Sequence, residues 1–448
     1  MRRPLRKPHG LTMGDIEDYK ELAQYLIYQS GASIIAVDGD TGRNFTRDTD
    51  AQTVIEACIA NMSGLDGTTG TMFFKPGIYE LTGDLTINKH NACFIGGWSH
   101  GRHASVSDGG VSFKLQDDAA CTSVIACEAR NIHLQGFFVN GNRANAVLTH
   151  GCISYSIAGR DCSASNVVAM HSDYAGFYFN GSFVNSFFEC AAECCTAAGW
   201  YIQDTRSARL VNCLGSTSAR GYSVLEGSHQ CRFIACQANN PTGHGFYVSA
   251  DGGAAVVNNQ FIGCLSHDAD NNGFRLRGAQ DNIFKGNLIL DCSQDADDVD
   301  SSFHVGASGG INSTNNIVMG NWFGTSGGAK QHKYGIEIND ANQDDNTFIG
   351  NTIKGAQTAN VLPDTATNVY RDNFGWINEA QGVTGAVADG GTFAHGLAST
   401  PLGCLVTGTV TGDIIKVTGL GAANVTVSIK DEGGGAGTAQ VLYWRAWV

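Results

Sequence analysis

Residues with usable side-chain chemistry recur in this chain two positions after a glycine. Tyr178, Tyr201, Ser223, Tyr247 and Arg275 follow Gly176, Gly199, Gly221, Gly245 and Gly273, and His304 and Glu337 hold the same place in the next two phrases. His244, Asp270, Asp298 and Asp300 stand just ahead of these phrases. Such residue types suit a glycan, because aromatic faces take sugar rings and phenolic hydroxyls bond to sugar hydroxyls. Tyr178, Tyr201, Tyr247 and His244 are therefore the candidate substrate-binding residues. Two carboxylates about 5 to 9.5 Å apart would hydrolyse a glycosidic bond, and Asp270, Asp298, Asp300 and Glu337 are the candidates. A lyase would instead need a base, such as His304 or Arg275, and a group that neutralises a uronate. The acidic loop makes Ca²⁺ a candidate for that second task, since hard oxygen ligands suit it; no other metal or cofactor is indicated. Each position also has a plain structural reading: Tyr and Arg suit β-strands, and aspartates suit a solvated loop.

The elements that must position these residues are short. The phrase "NNQFIGCLSHDADNNGFRLRG" at 258–278 holds two four-residue apolar pieces around a polar loop. Its first half returns as "NSFFECAAE" at 185, "ARLVNCLGS" at 208, "DNIFKGNLI" at 281, "NNIVMGNWF" at 315 and "DNTFIGNTI" at 345. Its second half returns as "AGFYF", "AGWYI", "RGYSV" and "HGFYV", whose glycines lie 23, 22, 24 and 28 residues apart down to Gly273. A unit of that length buries its apolar face only by stacking on its neighbours. Alternation along each strand predicts inner columns at Phe177, Trp200, Tyr222, Phe246, Phe274, Phe303 and Ile336, and at Phe187, Leu210, Phe233, Phe261, Phe284, Val318 and Phe348. A third inner column reads Cys190, Cys213, Cys236, Cys264, Asn287, Asn321, Asn351. That column is structural, with asparagines bonding to one another and to backbone. Coils stacked at about 4.8 Å put side chains of adjacent coils about 5 Å apart and of alternate coils about 10 Å apart.

Residues 49–87, with Phe74, Lys75, Pro76, Gly77, Ile78 and Tyr79 after a short helix and a Gly-rich turn, resemble the opening of right-handed parallel β-helix proteins of the pectate-lyase-like superfamily, viral tailspikes among them. The resemblance spans roughly residues 35–375. It implies an all-β fold class, a right-handed parallel β-helix, and leaves the chemistry open, because the superfamily holds lyases, hydrolases, epimerases and spikes. The expected organisation is an arm and helix over 1–34, the β-helix over 35–375, and a small antiparallel β-sandwich over 380–448, where short alternating strands and Gly-rich turns take over. Within the first segment a helix is expected over residues 14–30, with Ile16, Tyr19, Leu22, Ala23 and Leu26 on one face.

The totals narrow the partners. A net charge of −14 speaks against a nucleic-acid binder, which needs a basic face. No run of 18 apolar residues predicts a membrane span, and no signal peptide is visible. The 15 cysteines are an odd number in a long chain, which predicts reduced, buried thiols rather than a disulfide framework. Phe188, Val211, Ile234, Ile262, Met319 and Ile349 form an outward apolar row broken only by Lys285, and a monomer rarely exposes such a row. The expectation is a homotrimeric spike or fibre protein at a virion surface, or otherwise extracellular, that binds and depolymerises a surface polysaccharide. A cellular polysaccharide lyase or hydrolase, and an inactive surface protein, are the alternatives.

Overall fold

In the computed structural model each recurring phrase forms short strands that pair in parallel with the same phrase one coil away. The structure describes residues 23–62, 70–97, 110–294, 300–325, 332–339, 342–356, 359–362, 367–374, 379–394, 401, 403–410 and 412–447. Eleven strands, among them Ala175–Asn180, Ala198–Gln203, Arg220–Leu225, His244–Ser249 and Phe274–Arg277, form one parallel sheet. A 24-stranded sheet wraps the other faces. Phe177 pairs with Trp200, Trp200 with Tyr222, Tyr222 with Phe246 and Phe246 with Phe274, without a slip of register. The rings stack nearly flat, with centroids 4.1 Å apart for Phe177–Trp200 and 4.4 Å for Phe246–Phe274. The expected inner columns are buried along their whole length. The chain is thus a parallel β-helix.

Corners are turned by residues in the left-handed region. Val184, Ser207, Gln230, Asn258, Asp281, Asn315 and Asp345 have φ between 54° and 59° at one corner. At another, Glu189, Asn212 and Ala235 give way to Gly263, Gly286, Gly320 and Gly350. Glycine adopts this conformation without cost, and a β-branched Val184 does so only under strain.

The Cys-to-Asn column runs inside the second corner. Asn287 Nδ2 donates to Asn321 Oδ1 at 2.9 Å, and Asn321 Nδ2 donates to Asn351 Oδ1 at 2.9 Å. Each amide also bonds backbone: Asn321 Nδ2 donates to the Phe284 carbonyl at 3.0 Å and Asn321 Oδ1 accepts from the Asn287 N–H at 2.8 Å. A second amide ladder, Asn259, Asn282, Asn316 and Asn346, runs inside the first corner with the same pattern. All 15 cysteines are free, and eleven are buried. Burial pushes the Cys190 thiol up to about 12 and raises Cys213 well above its ordinary value.

The first coils are closed by a different arrangement. Tyr25–Ser30 is a strand, antiparallel to Ser33–Asp38 and parallel to Gly70–Phe74. This corrects the helix expected over 14–30 for its last six residues; residues 14–22 lie outside the described residues. Tyr25 and Ile27 are fully buried beside the first coil, and Gly31 at φ 62° turns the hairpin, so sheet pairing overrides the helical spacing. The helix that forms is Ala51–Asn61, capped by Asp50, whose carboxylate accepts from the Gln52 and Thr53 N–H groups. Its buried face of Val54, Ile55, Cys58 and Ile59 joins the core of the first coils.

Beyond the last parallel strand, Val369–Arg371, two antiparallel three-stranded sheets pack around Val387, Phe393, Val425, Val427, Ile429 and Leu442. Asp389 ties them together, accepting from Lys430 Nζ at 2.7 Å, the Ile429 N–H at 2.8 Å and Ser428 Oγ at 2.9 Å. These donors hold its carboxyl down at about 2.

The two kinds of rung in the Cys-to-Asn column predict different sensitivities. Asn321→Leu strands the Asn287 N–H inside the core and should cost about 3 kcal/mol, since each buried unsatisfied group costs roughly 1–3 kcal/mol. Cys213→Ala removes one small apolar group and should cost roughly 1–2 kcal/mol. Chemical denaturation of both variants checks the order; equal losses would contradict it.

Candidate functional site

The outer face of the eleven-stranded sheet carries one unbroken row. Ser154, Tyr178, Tyr201, Ser223, Tyr247, Arg275, His304 and Glu337 are successive register partners. Its two halves differ in chemistry.

The first half is aromatic and tightly covered. Tyr178 stacks on His150 at 4.5 Å and on Tyr201 at 5.1 Å, and Tyr174 leans on both tyrosines. Tyr178 is left 8% exposed, so a sugar would meet His150, Tyr174 and Tyr201 before it met Tyr178. A hollow of about 440 Å³ beside this stack is lined by Asp84, Glu128, His150, Tyr178 and Asp204 among others.

The second half is cationic. Arg220 lies 3.9 Å over the ring of Tyr247, which is only 3% exposed. His244 stacks on the same ring at 5.5 Å. Tyr247 Oη donates to Asp251 Oδ1 at 2.8 Å and accepts from Arg277 Nη1 at 3.3 Å. Arg275 Nη1 lies 3.0 Å from His244 Nε2; a guanidinium always donates, so that nitrogen accepts. His304 Nε2 faces the Asn339 amide at 2.8 Å. Glu337, the next rung, accepts from Ser301 Oγ at 2.5 Å.

Two features of this half point to a ligand. No carboxylate forms an ion pair with Arg220, Arg275 or Arg277 among the described residues. Three buried polar atoms of the patch, Ser223 Oγ, Arg275 Nε and His304 Nδ1, have no hydrogen-bond partner. Native interiors leave few such groups, and a cluster calls for water or a bound group. Burial first, and then the nearby arginines, push His244 down to about 3 and His304 down to about 4. Both imidazoles are therefore neutral at pH 7.

The remaining predicted residues fall elsewhere. Asp270 and Asp300 are half-buried in the loops before the row. The Asp270 N–H bonds the Pro241 carbonyl, and the Asp300 N–H bonds Ser293 Oγ at 3.1 Å. Asp298 lies outside the described residues. In the acidic loop, His267 sits 3.0 Å from Asp268 and 3.6 Å from Asp291. Among the described residues, one imidazole between two carboxylates supplies fewer oxygens than the six to eight that Ca²⁺ takes. Arg220, Arg277, His150 and Tyr174 did not come out of the sequence reading. Arg277 had a visible signal, as it stands one strand alternation beyond Arg275.

The comparisons with known proteins agree on architecture. The family described as periplasmic copper-binding protein (NosD) matches residues 130–324. A search of curated protein sequences finds no match. Among solved structures, the mannuronan C-5 epimerase AlgE6 A-module of Azotobacter vinelandii is similar, with a TM-score of 0.57 and 19% identity over 72% of this chain and 93% of that one. The enzymatically active domain of bacteriophage CBA120 tailspike protein 2 gives a TM-score of 0.54 and 12% identity over 90% of this chain and 68% of that one. The Dettilon tailspike protein gp208 gives 0.50 and 12% over 94% of both chains. At these identities the likeness is one of fold. No helix among the described residues is long and apolar enough to cross a membrane.

The buried imidazoles make stability depend on pH with a definite sign. His244 is held at about 3, and His304 and His332 at about 4, against about 6.5 in the unfolded chain. The unfolded chain thus binds more protons in this window. The contribution is whole above pH 6.5 and is lost as pH falls towards 4. His332 is fully buried with neither ring nitrogen hydrogen-bonded. The melting temperature should fall from pH 7 to pH 4.5, less steeply in His332→Leu; identical slopes in the two proteins would contradict this.

Proposed function

We propose that this chain is a spike-type polysaccharide-binding protein whose outer face holds an acidic glycan and cleaves it by elimination at a uronate. The observation that carries the reading is the cluster of Arg220, Arg275 and Arg277, without carboxylate partners among the described residues, around the neutral His244 and His304. A uronate carboxylate supplies the missing charge, and charge-assisted bonds to guanidinium are the strong kind.

In this reading the arginines neutralise the carboxylate and so acidify the proton on the adjacent ring carbon. His304 Nε2, which carries the lone pair of the neutral ring and accepts from the Asn339 amide at 2.8 Å, exchanges that bond for the proton as the C5–H bond breaks. The electron pair delocalises into the carboxylate and then forms the C4–C5 double bond as the C4–O bond breaks. Solvent water protonates the departing oxygen, while Tyr247, its proton held by Asp251, fixes the Arg277 guanidinium beside the carboxylate. A general base of this sort contributes roughly 10²- to 10⁴-fold in rate. The aromatic half of the row, at His150, Tyr174 and Tyr201, receives the sugar rings further along the chain.

The expected result with a panel of acidic polysaccharides is new reducing ends together with absorbance near the unsaturated-uronate band. His304→Ala and Arg275→Ala should each lower the rate about 100-fold or more. Reducing ends without the absorbance would replace the reading with hydrolysis by the aspartates and Glu337. No product from any polymer, including the natural host's glycan, would leave a binding spike.

The spike assignment, with its location at a virion surface or outside a cell, is supported by the likeness to two phage tailspikes. It comes with the division into an N-terminal segment over 1–34, whose strand Tyr25–Ser30 joins the first coil, the β-helix over 35–375 and a terminal module over 380–448. A homotrimer is the proposed assembly. Phe188 is 38% exposed, Val211, Ile234, Ile262, Met319 and Ile349 of its row are half-exposed, and the neighbouring row adds Leu288 at 37% and Trp322 at 47%. Side-by-side packing of three copies through the later rungs, around Met319, Trp322 and Ile349, would cover the part of this face beyond Arg209 and Arg232. Sedimentation should give three times the 47.3 kDa chain mass, and Trp322→Glu should shift the protein to monomer; a monomer for the unmodified protein would end the trimer reading.

A further inference from the structure

On the 24-stranded sheet, away from the face described above, lies a trough of about 740 Å³. Arg209 and Arg232 are register partners on adjacent coils and both are exposed. Like charges placed directly opposite on neighbouring strands repel and destabilise the sheet. Neither guanidinium forms an ion pair among the described residues; Arg209 packs over the Phe188 ring at 5.8 Å. Gln230, Asn258 and Gln260 beside them supply amides, and one carboxylate, Asp281, also lines the trough. Val184, 54% exposed, also lines it, at the corner that every coil turns with φ between 54° and 59°. Of the exposed apolar residues on this face, Phe188 lies under Arg209 beside the trough, whereas Leu288, Ile317, Trp322 and Val369 come later in the chain.

We propose that this trough is a second binding site, separate from the catalytic face, for the acidic groups of a linear anionic polysaccharide. The rung spacing of about 4.8 Å sets two guanidiniums at the reach of successive charged groups along an extended chain. The amides bond the hydroxyls between them. Free phosphate would satisfy one arginine and leave the other repelled. A nucleic acid would bring its dense phosphates against a protein of net charge −14. The trough needs no chemistry; it raises the effective concentration of a polymer whose other segment lies on the catalytic face.

The test is direct binding of long polygalacturonate chains and of the tetramer to the full-length protein and to Arg209→Gln/Arg232→Gln. The double variant should bind the long chain about tenfold more weakly, with a shallower dependence on salt and an unchanged rate on the tetramer. An affinity for the long chain within twofold of the unmodified protein would overturn the proposal. So would inorganic phosphate or a single-stranded DNA oligonucleotide binding the trough as tightly as the polymer. If no polymer is cleaved but the double variant still loses binding, the trough stands and the elimination reading falls. If cleavage is seen and binding is unchanged, the reverse holds.

Discussion

Everything in this protein depends on identical register between coils. Parallel strands about 4.8 Å apart demand that every coil offer the same kind of residue at the same inward place, because a slip of one position would turn each inner side chain outwards. Phe177, Trp200, Tyr222, Phe246 and Phe274 meet that demand with flat ring stacks. The amide ladders meet it with polar groups, which is harder. An asparagine inside a coil is tolerable only if the coils above and below carry one too, or a backbone group in the right place, and Asn287, Asn321 and Asn351 satisfy one another in that way. The ladders therefore specify register more sharply than the aromatic columns, since a misplaced amide loses its partners whereas a misplaced ring still finds apolar neighbours.

The same constraint generates the site. Whatever faces outwards is stacked as rigidly as the core, so a run of unlike residues becomes a track with fixed spacing. Tyr247, Arg275, His304 and Glu337 are held on consecutive rungs with no loop to relax them. Crowding of Arg220, Arg275 and Arg277 around two imidazoles is unfavourable in the free protein; burial, and then these charges, keep His244 and His304 unprotonated. That is the arrangement expected of a surface whose electrostatics are completed by an anionic ligand. The sheet core supplies the rigidity that tolerates the repulsion.

Much of this was legible in the chain itself. The columns were readable because burial repeats with a fixed phrase, and the coil geometry turns phrase positions into neighbours. The second amide ladder could have been read too, since Asn259, Asn282, Asn316 and Asn346 each stand one residue before a strand. What was not legible is how long side chains lie over their neighbours. Tyr178 and Tyr247 occupy outward positions, yet His150 and Arg220 cover them, and strand alternation says nothing about such lateral cover. The start of the chain misled for another reason: Ala23 and Leu26 continue a helical spacing, and pairing of Tyr25–Ser30 with Gly70–Phe74 decides the state of this segment through contacts more than 40 residues away in sequence.

The central claim is that the cluster of Arg220, Arg275 and Arg277 recognises a carboxylate. The most direct measurement is calorimetric titration with a uronate oligosaccharide and with the same oligosaccharide after reduction of its carboxyl groups. The account predicts that the acidic form binds at least about tenfold more tightly, the scale of one lost charge-assisted bond, and that Arg275→Ala removes the difference. Equal affinity for the acidic and the reduced forms would contradict it.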